Sequence, residues 1–149
     1  MKIVNKVKYI GAMLVMTFML GNTAHAVQPT STSGLIGTWY NVNPNTRGTV
    51  KVVIFRTGAG TMIIRTYGSC SPTPCNHGNR VAKVYSRSIN SNYARGLTTH
   101  YNFGFKFKVV DARRDYGTDN GTFLRLNSFN KFAAGDARKD YFASELFRK

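Results

Sequence analysis

Strict alternation of apolar and polar residues in segment 99–110 indicates the fold class of this chain. The apolar members are Tyr101, Phe103, Phe105, Phe107 and Val109. The residues between them are His100, Asn102, Gly104, Lys106 and Lys108. Because successive side chains of a β-strand point to opposite faces, the pattern predicts one strand with a core-facing apolar side and a solvated side that carries the lysines.

Six other short segments also have the composition of strands, and no helix-length stretch beyond residue 34 has helical periodicity. These segments are 37–42, 49–56, 61–67, 81–87, 122–131 and 140–148. Turn-forming residues separate them at 43–45, 57–60, from Cys70 through Gly78, and at 91–96, 119–121 and 135–136. The sequence predicts an all-β fold, an antiparallel up-and-down meander of about seven or eight strands closed into a small barrel, with a β-sandwich as the alternative.

The N-terminus has the order of a secretory signal peptide. Lys2, Lys6 and Lys8 precede the apolar run 10–20, and Ala24-His25-Ala26 supplies the small residues of a cleavage site. The run is about half of the roughly 20 residues that a spanning helix needs. We expect a signal peptide at 1–26, a flexible linker at 27–33 and a single β-barrel domain at 34–149, exported to the periplasm or the medium; the alternative is an uncleaved anchor.

The charge of the chain is strongly basic and unevenly distributed. There is no Asp or Glu between Val27 and Val110, and all six acids lie from Asp111 onward. Removal of residues 1–26 lowers the formal net charge from +15 to +12. Internal ion pairs cannot neutralise this excess, so an anionic partner is expected, unless the charge serves solubility alone.

The only two cysteines, Cys70 and Cys75, flank Ser71-Pro72-Thr73-Pro74. In an exported protein such a pair predicts a disulfide, which in so short a ring stabilises the fold by at most about 2 kcal/mol and mainly shapes a loop. Metal binding by the two thiols and His77 is the alternative, but the spacing matches no usual zinc pattern. We therefore predict neither metal nor cofactor.

The segment 35–41, Leu-Ile-Gly-Thr-Trp-Tyr-Asn, resembles the first strand of avidin-like and lipocalin-like (calycin) barrels. In those barrels the tryptophan plugs one end and a basic residue, matched here by Arg148, stacks on it. The resemblance implies a barrel in which Asn41 and Tyr67 face a ligand. Because Trp39 is the only tryptophan, the aromatic enclosure of biotin is missing and biotin binding is not expected.

A wider resemblance is to a group of exported bacterial proteins with a Gly-Thr-Trp opening and a Cys-x-Pro-Thr-Pro-Cys loop. The matching stretches here are 37–39, 70–78, 101–105 and 140–148. Asn76-His77 departs from the Asp-Trp pair that is commoner in the group. The resemblance implies a fold and no activity.

Cationic strands with aromatic residues between them give the leading functional hypothesis, a non-enzymatic binding protein. Its candidate ligand-binding residues are Arg65, Tyr67, Lys83, Tyr85, Arg87, Lys106 and Lys108. Cations beside aromatic rings suit contact with phosphate or sulfate together with ring stacking. The expected partner is an envelope lipid head group, an anionic glycan or extracellular nucleic acid.

Two alternatives remain open. A lipocalin-like pocket for a small apolar or amphipathic ligand would use Trp39, Tyr40, Asn41, Phe55, Phe103 and Phe105. A ribonuclease-like hydrolase would need His77 and His100 to converge on one phosphodiester. Among the acids, Glu145 is expected to pair across strands with a lysine or arginine, and Asp111, Asp115 and Asp119 lie in a turn-rich stretch that is typical of a solvated loop or a weak cation site.

Overall fold

The computed structural model describes residues 31–116 and 123–149, and these residues form strands, turns and bends but no helix. The strands are β1 (Gly37–Asn41), β2 (Thr49–Arg56), β3 (Met62–Gly68), β4 (Cys75–Val81), β5 (Lys83–Ser86), β6 (Ala94–Asn102), β7 (Lys106–Asp115), β8 (Phe123–Phe132) and β9 (Tyr141–Arg148). Each of the six short segments that the sequence indicated overlaps one of these strands.

The predicted signal peptide and the predicted turn at 119–121 lie outside the described residues, as does the first part of the linker. The last linker residues contact the barrel: Ser31 forms a bridge with Tyr93, and the side chain of Thr32 is buried. The described residues contain no helix with the length and hydropathy needed to cross a bilayer.

The strands form one antiparallel sheet in the order β4-β3-β2-β1-β9-β8-β7-β6-β5. β4 and β5 are the two ends of this order, where they pair with β3 and β6, and the single residue Ala82 separates them along the chain. Ala82 N–H donates to the Met62 carbonyl at 2.9 Å, and Thr99 Oγ1 donates to the Val81 carbonyl at 2.8 Å. This bent β4–β5 segment nearly closes the sheet, so the predicted all-β barrel is confirmed and the sandwich is not.

One end of the barrel is filled by an apolar core around Trp39. The indole is 1% exposed, its Nε1 donates to the Leu35 carbonyl at 2.9 Å, and Lys149 Nζ lies 4.8 Å from the ring centroid. Lys149, one residue after the Arg148 that the sequence suggested, is thus the cation over this ring. Ile54, Leu97 and other buried aliphatic residues complete this core.

The predicted continuous strand 99–110 is wrong, because a tight turn divides it between β6 and β7. Phe103 N–H donates to the Lys106 carbonyl at 2.9 Å, and Gly104 has a φ of +79°, a left-handed conformation that favours glycine. The turn shifts the alternation that follows it. Tyr101 points into the barrel as expected, but Lys108 is buried at 6% exposure, whereas Phe107 lies outside at 42%.

Two predicted loops also proved to be partly strand. Residues Cys75–Val81 form β4 rather than a loop through Gly78, and β6 begins at Ala94, inside the loop expected at 91–96. The predicted Cys70–Cys75 disulfide is confirmed and lies in the connection between β3 and β4. Main-chain pairing with β3 overrides the turn preference of Asn76 and Gly78.

Candidate functional site

The inward-facing side chains change from apolar to polar along the barrel axis. On β8 the buried series runs Leu124, Leu126, Ser128 and Asn130, and on β7 it runs Ala112, Val110 and Lys108. These two series lie in register, since Ala112 is opposite Leu126 and Lys108 is opposite Asn130. The polar members therefore meet at the end of the barrel away from Trp39, which leaves the barrel interior apolar at one end and hydrophilic at the other.

A cavity of about 430 Å³ occupies this hydrophilic end. Its walls include Thr49, His77, Lys106, Lys108, Tyr141 and Glu145, and both cysteines of the disulfide lie at it as well. The starts of β2, β4, β7 and β9 thus contribute to a single depression, because antiparallel strands bring their alternate ends to the same rim. A volume of this size suits a small-molecule ligand.

Lys108 is the buried cation of the cavity. Its Nζ donates to Thr49 Oγ1 at 3.2 Å, and no carboxylate oxygen of the described residues lies within ion-pair distance of it. Burial, followed by repulsion from Lys106, lowers the pKa of Lys108 to about 8, against the opposing effect of Glu145. At neutral pH the side chain is therefore still mostly a cation, but one whose charge is poorly solvated and only partly compensated.

Glu145 does not pair with a lysine or arginine within ion-pair distance in the described part of the chain, so the expected cross-strand partnership is wrong. Its carboxylate instead accepts from Asn41 Nδ2 at 3.1 Å, Thr46 Oγ1 at 2.9 Å and Thr49 N–H at 3.2 Å. A Cβ at Gly48 would lie 2.5 Å from Glu145 Oε1, so the carboxylate approaches the backbone where glycine leaves room. Glu145 thus fixes the β1–β2 connection, including Thr49.

His77 faces Lys108 from β4 as a neutral imidazole. Burial, then the charges of Lys108 and Lys106, lowers its pKa to about 4. Nδ1 lies 2.9 Å from Thr66 Oγ1, and a Cβ at Gly68 would come within 2.9 Å of Nε2. The imidazole is thereby held against the β3 backbone and can offer hydrogen bonding without a further charge.

Asn130 adds an available acceptor next to Lys108. The residue is 3% exposed, its Nδ2 lies 3.2 Å from Ser128 Oγ, and its Oδ1 has no hydrogen-bond partner in the described part of the chain. Leaving such a buried atom unpaired costs about 1–3 kcal/mol. A ligand hydroxyl or a water molecule held there would recover that cost.

The structure divides the predicted cationic set among different faces. Lys106 and Lys108 line the cavity, whereas the other five lie outside the barrel: Arg65 and Tyr67 on β3, Lys83 and Tyr85 on β5, and Arg87 in the loop after β5. Some of these five side chains already form hydrogen bonds with other residues of the barrel. Arg65 Nε donates to Asn79 Oδ1 at 2.7 Å, and the Tyr85 hydroxyl donates to Asp111 Oδ1 at 2.6 Å.

None of the residues suggested for a lipocalin-like pocket lines the cavity. Trp39 belongs to the apolar core, and Tyr40 is exposed on the outer side. The Nδ2 of Asn41 donates to the Glu145 carboxylate. Phe103 borders His77, with ring centroids 5.2 Å apart, and Phe105 is half-exposed in the β6–β7 turn. Phe55 is half-buried on the outer side of β2.

His77 and His100 do not converge. His77 lies at the cavity, whereas His100 is exposed on the outer side of β6 and stacks on Phe107 with ring centroids 5.5 Å apart. They cannot act together on one phosphodiester. The thiols are consumed by the disulfide, and the described residues hold no cluster of potential metal ligands.

Thr49, Ser128 and Asn130 were not among the residues predicted for the site, although the sequence contains a signal for them. In several strands the inward series ends in polar residues after two or more aliphatic ones, as from Leu124 to Asn130. A face that changes from apolar to polar within one strand indicates a barrel whose interior is filled at one end and hydrated at the other.

No protein-family model, curated protein or solved structure matches this chain. Its class is therefore defined by its own fold and site: a small all-β barrel with a polar, cationic cavity at one end. The resemblance to avidin-like and lipocalin-like barrels stays a prediction.

Proposed function

We propose that this protein is an exported, non-enzymatic binding protein that takes a small anionic ligand into the cavity at the hydrophilic end of its barrel. The observation that carries the proposal is Lys108, a buried ammonium group with a single hydrogen bond to Thr49 and no carboxylate at ion-pair distance in the described residues. Buried charges are normally paired, and an anion would provide the pairing.

The remaining groups at the cavity support an anion rather than a cation. Lys106 and Arg47 add positive charge to its walls. The one carboxylate there, Glu145, has its oxygens occupied by Asn41, Thr46 and the Thr49 N–H. An anion entering the cavity therefore meets positive charge and hydrogen-bond donors, whereas a cation would be repelled by the lysines.

The hypothesis that an anionic partner binds to the outer surface of the barrel has weaker support. Its residues are spread over β3, β5 and the following loop, and the side chains of Arg65 and Tyr85 already have protein partners. A lipid head group, a glycan sulfate or a nucleic-acid phosphate shares the same anionic chemistry. Each of these could supply the group that enters the cavity.

Titration calorimetry with inorganic phosphate at pH 7 tests the proposal. Wild type should bind saturably, and Lys108→Met should bind at least about tenfold more weakly, because a charge-assisted hydrogen bond contributes about 1.5–3 kcal/mol. Lys83→Met is the matched control, since it removes the same charge from an exposed position on β5 and should change affinity less than about twofold.

Equal weakening by the two substitutions would show that phosphate is attracted by overall charge and not by the cavity. Wild-type protein that shows no saturable uptake of phosphate would also contradict the proposal. Circular dichroism of each variant checks that the barrel is retained.

A further inference from the structure

A second depression, of about 500 Å³, lies on the outer surface of β7, β8 and β9. Apolar side chains form most of it: Phe107, Val109, Phe129 and Phe142. All four are exposed, including Phe129 at 56% and Phe142 at 54%, and the rings of these two are 4.9 Å apart. We call this depression the aromatic cleft. Clustered exposed phenylalanines of this kind mark a binding surface.

The aromatic cleft adjoins the cationic cavity at the rim of the barrel. Tyr141, at the start of β9, lines both depressions. A ligand can therefore occupy the cavity and pass over the rim at Tyr141 onto the outer surface without passing between strands.

We propose that the cavity and the cleft together bind one molecule, an anionic amphiphile with a single alkyl chain, whose head group enters the cavity and whose chain lies in the aromatic cleft. This inference rests on the proposed function and specifies its ligand class. The cavity offers cations to the head, and the cleft offers aromatic surface to the tail.

The charges around the cleft agree with an anionic occupant. Lys131 lines it beside the aromatic residues. The one acid there, Asp140, is directed to the main chain, where its Oδ1 accepts from Phe132 N–H at 2.8 Å. Lys106, at the cavity wall, lies 6.0 Å from the centroid of the Phe132 ring. Positive charge thus flanks the path between the two depressions.

The test is an alkyl phosphate series from butyl to decyl phosphate, titrated at pH 7 below the critical micelle concentration, together with inorganic phosphate. Burial of a methylene contributes about 0.8 kcal/mol, a factor of about four, and a chain half-covered in an open cleft should gain about twofold per methylene. Inorganic phosphate measures the head-group site alone.

A double substitution, Phe129→Ser with Phe142→Ser, should remove most of the chain-length dependence while leaving affinity for inorganic phosphate unchanged. Both side chains are exposed on the outer surface, so the barrel core is not altered. Ile89→Ser is the matched control, because Ile89 is fully exposed in the loop after β5 and should leave the whole series unchanged.

The outcomes separate the two proposals. Binding of inorganic phosphate with no gain along the alkyl series overturns the amphiphile and leaves the cavity proposal standing. Absence of phosphate binding overturns the cavity proposal itself. If the gain in affinity with chain length survives the double substitution, the alkyl chain lies elsewhere and the inference is overturned. Binding to anionic phospholipid vesicles without binding of monomeric alkyl phosphate indicates a membrane surface as the partner, and it also overturns the inference.

Discussion

Lys108 lowers the stability of the unliganded barrel at neutral pH, because its ammonium group has left water for a site with one hydrogen bond and no adjacent carboxylate in the described residues. Its neighbours include Lys106 on its own strand, Glu145 on β9 and His77 on β4. The charge of Lys106 disfavours the charged form of Lys108, and the carboxylate of Glu145 favours it. The imidazole of His77 is neutral at pH 7, because burial lowers its pKa to about 4.

The stability of the protein should depend on pH through Lys108. The pKa of Lys108 is about 8 in the folded protein and about 10.4 in the unfolded chain. Between these values the unfolded state binds more protons, so the free energy of unfolding should rise with pH by up to about 3 kcal/mol from this residue.

Denaturant titrations of wild type and Lys108→Met across this pH range measure the effect, since other titrating groups contribute to both proteins. The variant should be the more stable at pH 7, and the difference should shrink as the pH rises above 8. A difference that is constant with pH would contradict the buried-ammonium assignment.

The β6–β7 turn determines which side chains of β7 line the cavity. Asn102 Oδ1 accepts from Gly104 N–H at 2.9 Å, and Gly104 takes the left-handed conformation that closes the turn. Three residues, 103–105, separate the strands. With this register Lys106, Lys108 and Val110 face inward on β7.

Gly104→Ala should destabilise the protein by about 1–2 kcal/mol, because a left-handed backbone is unfavourable for a residue with a Cβ. No atom lies within 4 Å of a Cβ built at Gly104, so the cost comes from the backbone rather than from a clash. Gly58→Ala is the control: it also has open space around it, without the left-handed conformation, and should change stability by less than about 0.5 kcal/mol. Thermal unfolding compares the two, and equal effects would contradict the assigned role of the turn.

The sequence predicted where the strands lie more reliably than which way their side chains point. Thr49–Arg56 was predicted with its observed bounds, because Gly48 and Thr57–Gly60 mark its ends clearly. Segment 99–110 failed because the regular spacing of its aromatic residues concealed Asn102 and Gly104 as turn residues. A turn missed in an alternating segment reverses the face of every later residue, which is why Lys108 was predicted to be solvated.

The barrel as a whole carries its excess of positive charge with little internal compensation. The described residues contain two ion pairs, Arg125 with Asp115 and Arg138 with Asp136. The sequence predicted the barrel and its basic character because strand pattern and composition are local properties. It could not predict the cavity, because that requires knowing which strand ends meet at the same rim.

Added salt should therefore stabilise the fold. Raising the ionic strength from about 0.01 M to about 0.15 M shortens the screening length from about 30 Å to about 8 Å and weakens self-repulsion. Differential scanning calorimetry in sodium chloride should show a melting temperature that rises by a few degrees, about the change that 1 kcal/mol produces in a domain of this size. A melting temperature that falls with salt would contradict this.

Lys108 is the buried cation that we propose to pair with an anion in the cavity. The most direct test of this pairing is NMR titration of the Lys108 Nζ resonance, assigned by comparison with Lys108→Met, with and without inorganic phosphate. The Lys108 pKa should be about 8 in the unliganded protein and should rise by at least about one unit with saturating phosphate, since a bound anion favours the charged form. An ordinary pKa near about 10.4 that phosphate does not change would contradict this.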